Sequence, residues 1–212
     1  MAAGDTVSTI YRGGDLPAGV DGAIADITDA TAVNAAFDEL EARHGRVRVL
    51  VANAGITRDG LLMRMSDEDF EDVIATNLTG TFRTVRRAVQ SMIRERYGRI
   101  VLVGSVVGLL GNPGQVNYSA SKSALVGMAR SITREVGSRG ITANVIAPGF
   151  IETAMTAELG EDLVKQYEAN IPARRFGAAS EVADATVFLA SDAAAYISGA
   201  VLPVDGGLGM GH

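Results

Sequence analysis

Short apolar runs alternate with amphipathic stretches along this chain. Residues 6–11 (TVSTIY), 23–27, 47–52 (VRVLVA), 99–103, 142–147 (TANVIA) and 201–204 are brief and rich in β-branched residues, and each reads as a strand. The run 47–52 has few polar positions, as expected of a parallel strand buried on both faces. Between the strands, apolar residues recur at helical spacing. Residues 29–43 carry Val33, Ala36, Phe37 and Leu40 and stop at His44-Gly45. Ser66 before Asp67-Glu68-Asp69 has the form of an N-cap with an acidic first turn. The helical pattern behind it runs through Phe70, Val73, Ile74 and Leu78, then resumes from Val85 to Ile93. A long helix is predicted over 118–136 and short ones near 161–169 and 181–190. This alternation predicts an α/β fold with a doubly wound, mainly parallel sheet. No repeat or linker divides the 212 residues, so one domain is expected.

The helix over 118–136 has almost no polar face, with Ala120, Ala124, Leu125, Val126, Met128, Ala129 and Ile132 distributed around it. Such a helix is buried on both sides. With one side on the sheet, the other is expected to meet a second subunit in a homo-oligomer. Net charge of −6 argues against nucleic acid as the main partner. The absence of cysteine excludes disulfides and thiol catalysis. Without a charged-then-apolar leader or an 18-residue apolar run, a cytoplasmic protein is expected. Only His44 and His212 are histidines, so neither a metal cluster nor a Ser–His–Asp triad is indicated.

The chemistry concentrates in 104–122 (GSVVGLLGNPGQVNYSASK), which leaves a strand, crosses a Gly/Pro/Asn-rich loop and enters the long helix. Tyr118 and Lys122 are four apart and so share one helix face, one turn from each other. An ammonium there favours tyrosinate and is expected to pull the phenol down from its ordinary value of about 10. A phenol so tuned exchanges a proton with an alkoxide or alcohol, while Ser105 holds the carbonyl oxygen. Tyrosine and lysine at this spacing are common on helix surfaces. What singles these out is their place beyond a strand end, where open α/β sheets carry their sites.

Asn53-Ala54-Gly55, Asn77, Ser105, Tyr118-x-x-x-Lys122 and Pro148-Gly149, in this order and spacing, resemble the short-chain dehydrogenase/reductase family from about Thr6 to the C-terminus. Within it, residues 104–108 (GSVVG), 148–153 (PGFIET) and the ending YISGA…DGG look like β-ketoacyl-acyl-carrier-protein reductases. The tail GMGH and the Arg12-Gly13 segment resemble the mycobacterial mycolic-acid-elongation type.

The resemblance implies NADPH-dependent reduction of a 3-oxoacyl group on acyl carrier protein by a homotetramer. Tyr118 would be the general acid, Lys122 would lower its pKa and bond the nicotinamide ribose, and Ser105 would orient the carbonyl. Asn77, at a helix kink, would hold a water joining Lys122 to solvent; a helix-breaking cap is the other reading of that residue. Asn53, Ala54 and Gly55 would lie against the cofactor, or else form an ordinary strand-ending turn. Pro148 and Gly149 would position a loop whose Ile151 main chain and Thr153 hydroxyl meet the carboxamide. Asp26 and Ile27 would contact adenine, unless Asp26 is only a turn residue. An acid after the second strand suits NAD and an arginine suits NADP. Arg12 directly follows the strand 6–11, which favours NADPH over a role for Asp15. Arg83, Arg86, Arg87, Arg94, Arg96 and Arg99 crowd a segment opposed only by Glu95: a solvated face, or a surface that steers an acidic carrier. The resemblance points to Arg96 and Arg139 as carrier contacts. Leu61, Leu62, Met63 and Met65 are core residues or the lining of an acyl tunnel.

The family opens with a strand, a turn of the form Thr-Gly-x-x-x-Gly-x-Gly and a helix, and the 212 residues contain no such turn. A βα unit on the order of 30 residues is therefore expected to be missing, its strand belonging between 6–11 and 47–52. The alternatives are another short-chain reductase acting on a small ketone or alcohol, and an inactive fragment unable to hold the cofactor.

Overall fold

In a computed structural model, which describes residues 4–152 and 160–210, every strand pairs in parallel. Strand β1 (Ser8–Tyr11) pairs with β2 (Asp21–Ile24), Ser8 opposite Asp21. Helix α1 (Ala30–His44) follows, started by Asp29, whose carboxylate accepts from the Thr31 and Ala32 amides. Strand β3 (Val49–Ala52) opens a second sheet in the order β3-β4-β5-β6, with β4 (Gly98–Val103), β5 (Ile141–Pro148) and β6 (Val201–Val204). Between β3 and β4 run α2 (Asp67–Ile74) and α3 (Thr81–Glu95), and between β4 and β5 run α4 (Val107–Leu110) and α5 (Val116–Val136). Helices α6 (Glu161–Asn170) and α7 (Ala179–Ala190) precede β6.

Side chains alternate across the larger sheet with the period of two that a strand imposes. Ile100 and Leu102 of β4, with Ala143 and Val145 of β5, enter a core made with α1, α3 and α5. Val101 and Ile146 point the other way, onto Leu189 of α7 and Ala194. Helices therefore cover both faces, and the doubly wound α/β architecture read from the sequence is present. The small sheet joins the same body through α1: Val33 and Phe37 pack into the main core and Ala36 and Leu40 against β2.

Three local expectations change. The second strand ends at Ile24 and not at Ile27, because the Asp26 carboxylate accepts from the Thr28 amide and hydroxyl at 2.8 and 2.7 Å and folds a turn there. Strand β3 is not buried on both faces: Val49 is 38% and Val51 43% exposed. Among the described residues it ends its sheet and, like β1, leaves one edge without a partner strand. Leu61, Leu62 and Met63 are 61, 70 and 97% exposed, so they are not core; only Met65 is half-buried.

Candidate active site

The carboxyl end of β4 delivers the first site residue. The ladder to β5 continues past the strand, with the Gly104 amide donating to Ile146 O (2.8 Å) and the Val106 amide to Pro148 O (2.9 Å). Ser105 is thereby held as firmly as a strand residue and is buried. Helix α5 brings Tyr118 and Lys122 to the same place. The Ser105 side chain and the phenol line the same cleft, and the Lys122 ammonium lies 5.7 Å from the centre of the Tyr118 ring.

Lys122 is 5% exposed and donates to the carbonyl of Val103, the last residue of β4, at 2.8 Å. An ammonium has three donors. The other two find no partner among the described residues. Burial pushes its pKa down to about 8. Tyr118 departs from the sequence expectation: burial pushes the phenol up, the Ser105 hydroxyl opposes this, and the Asp59 carboxylate adds to the rise. Desolvation of the charged form outweighs the help from Ser105. The phenol is held protonated.

Asn77 lies in a single π-helical turn, Ala75–Gly80, that joins α2 to α3 without a break. The expected kink is thus an extra residue within one continuous rod, not a gap between two helices. Both donors of its wholly buried amide are engaged: Nδ2 donates to Ile56 O (3.0 Å) and Ser121 Oγ (3.1 Å), while Oδ1 accepts from the Ile56 amide (2.8 Å). This ties the loop after β3 to α5. A Cβ on Gly55 would lie 3.2 Å from Asn77 Oδ1 and 3.3 Å from Lys122 Nζ. The glycine therefore makes room for the site's own lysine and asparagine, as well as leaving backbone open to a ligand.

A cleft of about 230 Å³ brings together Asn53, Gly55, Ser105, Tyr118, Lys122, Pro148 and Gly149 from the expected set, with Ile56 and Thr57 beside them. Ala54 is exposed next to it. Ile151 forms an isolated bridge to Gly177 just beyond Pro148-Gly149. Thr153 lies outside the described residues. Arg12, Asp26 and Ile27 lie in the turns that follow the two strands of the small sheet and do not line this cleft. The Asp26 carboxyl sits below the usual range, through its Thr28 bonds first and the nearby Arg12 charge last. A larger cleft of about 440 Å³ between α1 and α3 is lined by Arg87 and its carboxylate partners and holds none of the site residues.

The arginine run resolves residue by residue. Arg87 pairs with Asp38 and Glu41, each at 2.7 Å, Arg99 is buried and pairs with Asp192 at 3.1 Å, and Arg83 donates to Thr28 O at 2.7 Å. Arg96 ends α3 in a left-handed conformation and abuts the turn that holds Arg139: a Cβ on Gly140 would meet Arg96 O at 2.7 Å. Both precede their strands, roughly 20 Å of β4 away from Ser105.

Serine, tyrosine and lysine at the carboxyl ends of parallel strands, in a doubly wound sheet, define a short-chain type of oxidoreductase site. The family model described as enoyl-(acyl carrier protein) reductase matches residues 10–209, and the chain belongs to the short-chain dehydrogenase/reductase family. It is 52% identical over 206 residues to the 3-oxoacyl-[acyl-carrier-protein] reductase MabA of Mycobacterium avium, covering 97% of this chain and 81% of the relative. It is 51% identical over 211 residues to MabA of Mycobacterium tuberculosis H37Rv, covering 100% of this chain and 85% of the relative. The 3-oxoacyl-[acyl-carrier-protein] reductase FabG of Escherichia coli K12 is 50% identical over 189 residues, or 89% of this chain and 78% of that protein.

Two contributors escaped the sequence reading: Asn117, wholly buried beside Tyr118, and Asp59, whose charge the phenol feels. An asparagine in the first turn of the long helix, directly before Tyr118, was the available signal.

Proposed function

We propose that the protein catalyses the NADPH-dependent reduction of a 3-oxoacyl group on acyl carrier protein to the 3-hydroxyacyl form, a step of fatty-acid elongation. The observation that carries this is the convergence of a protonated Tyr118, Ser105 and a cationic Lys122 in one cleft. A carbonyl oxygen turning into an alkoxide needs a hydrogen bond to hold it and a proton to quench it. Ser105 supplies the first and Tyr118 the second. The tyrosinate left behind is stabilised by the Lys122 ammonium, most effectively in a site this dry.

The nicotinamide end of a dinucleotide fits the cleft, because Lys122 keeps two donors for ribose hydroxyls and Gly55 leaves backbone exposed. Bound NADPH supplies the hydride. Asn53, Ala54, Gly55, Pro148, Gly149 and Ile151 are assigned to its nicotinamide half, Asp26 and Ile27 to adenine, and Arg12 to the extra phosphate. The Asn77 side chain has no donor left, but its Oδ1 keeps a second lone pair beside the Ile56 bond. A relay water from Lys122 to solvent would use that lone pair, because Oδ1 and Lys122 Nζ lie 3.2 and 3.3 Å from the point a Cβ on Gly55 would occupy.

The open edges of β1 and β3 support a domain completed by one further strand seated between them, with the pyrophosphate-binding turn behind it. The α5 face carrying Ala120, Ser123, Gly127 and Ser131 is exposed, which supports a homo-oligomer and, in our reading, a tetramer. With Arg96 and Arg139 at the far end of the sheet, a carrier bound there would serve the site of another subunit. Among the described residues no helix is long and apolar enough to cross a membrane. A cytoplasmic location is part of the same proposal.

The test is turnover of an acetoacetyl thioester against simple ketones, in a version extended by the predicted N-terminal unit. Tyr118→Phe should cut the thioester rate by about 10²–10⁴ with the fold intact. Full activity in that variant would overturn the reading, and a preference for simple ketones would favour a different short-chain reductase.

A further inference from the structure

Residues 58–60 and 112–118 meet along a seam of directed bonds. The Asn117 side chain, 0% exposed, donates from Nδ2 to Arg58 O (2.8 Å) and Asp69 O (3.2 Å), and its Oδ1 accepts from the Tyr118 amide (2.7 Å). Gln115 Nε2 donates to both Asp59 carboxylate oxygens, at 3.1 and 3.0 Å, while its Oε1 accepts from Asn112 at 2.9 Å. The Gly60 amide donates to Gly114 O at 2.8 Å.

The Tyr118 amide belongs to the first turn of α5, where helical N–H groups have no partner inside the helix. A buried amide left bare is costly. Asparagine answers it with its one acceptor and uses its two donors on the carbonyls of a loop and of α2. Aspartate would set a carboxylate against two carbonyls, and leucine would satisfy none of the three. The same few ångströms decide where the phenol points.

We propose that Asn117 and Gln115 form a clamp that locks the loop 53–60 to the start of α5 and so sets the Tyr118 phenol beside Ser105. They are positioning residues. The proposal rests on the reading of Tyr118 as proton donor, but its geometry can be measured without turnover. The groups facing the phenol are Ser105 from the end of β4, Lys122 on α5 and Asp59 from the loop. Among these the Ser105 hydroxyl favours the phenolate and the Asp59 carboxylate disfavours it. Opening the seam lets the phenol drift away from Ser105 while the cleft walls that bury the ring stay in place.

The experiment is an NMR titration of ¹³C-labelled tyrosine in the 212-residue chain, with the Tyr118 signal identified by its loss in Tyr118→Phe. Asn117→Ala should raise the Tyr118 midpoint by about one pH unit and weaken the Tyr118–Ser105 nuclear Overhauser contact. Gln115→Ala, which removes only a half-buried side chain, should act in the same direction with smaller size. It decides the matter if Asn117→Ala fails to fold. Folded variants that titrate as the parent does, or lower, overturn the clamp. Full turnover in Tyr118→Phe would instead overturn the proton-donor reading, and the two failures are read in separate experiments.

Discussion

Lys122 holds a charge where the fold offers it one carbonyl and little water. Its pKa of about 8 in the native protein lies below the 10.5 of a free lysine. Below pH 8 the ammonium is charged in both states, and folding bears the full cost of drying it. Between pH 8 and 10.5 the native state sheds the proton first and the cost fades, so this group makes stability rise with pH across that window. A gap of that size corresponds to about 3 kcal/mol. Lys122→Met is therefore expected to abolish reduction yet stabilise the chain at pH 7 by about 1–3 kcal/mol, read from the urea midpoint. In the parent enzyme the rate of reduction should fall as pH rises through about 8, because a neutral lysine no longer stabilises tyrosinate; a pH–rate profile checks this. The Tyr118–Lys122 pairing was legible from spacing alone, since a helix places i and i+4 together. The direction of the phenol's shift was not, because it depends on burial, and burial is set by residues far along the chain.

At the scale of elements, the π turn between α2 and α3 connects both halves of the proposed cofactor site. Asn77 holds the loop behind the nicotinamide end, and Gly80 seats Ile27 of the adenine end: a Cβ on Gly80 would fall 2.7 Å from Ile27 Cδ1 and Cγ1. Gly80→Ala must push Ile27 and its turn outward. We expect a loss of about 1–3 kcal/mol in thermal or urea unfolding. In the extended enzyme the KM for NADPH should rise several-fold while kcat changes less. An unchanged KM would separate the turn from cofactor binding. The sequence signalled an interruption here through the pause between Leu78 and Val85, but a helical pattern that slips by one residue looks the same as two helices with a break. Helix α5 was read correctly in length to within two residues. Its apolar circumference divides into a buried face, with Leu125 and Ala129 in the core, and an exposed one of small residues.

The molecule as a whole contains two parallel sheets with open edges at β1 and β3, sharing one core through α1 and α3. Its 212 residues contain no Thr-Gly-x-x-x-Gly-x-Gly turn, so under the proposed function they would meet the nicotinamide end of a dinucleotide but offer no such cradle for its pyrophosphate. Nicotinamide fluorescence should show weak or no NADPH binding by these residues alone, and tighter binding once the predicted strand and turn are added. Tight binding without them would refute that account. Open strand edges also invite pairing between chains. Light scattering should therefore show association that the added strand suppresses. The sequence by itself determined the alternation of strands and helices, the parallel order it implies, and the meeting of Ser105, Tyr118 and Lys122 at a strand end. These follow from local periodicity and from the fixed geometry of strand ends and helix turns. Only the tertiary structure decided which arginines are already paired, that the leucines after the loop are exposed, that Gly55 makes room for Lys122, and that Asn117 anchors Tyr118. Each of those depends on atoms brought together from distant parts of the chain, and no local pattern records such distances.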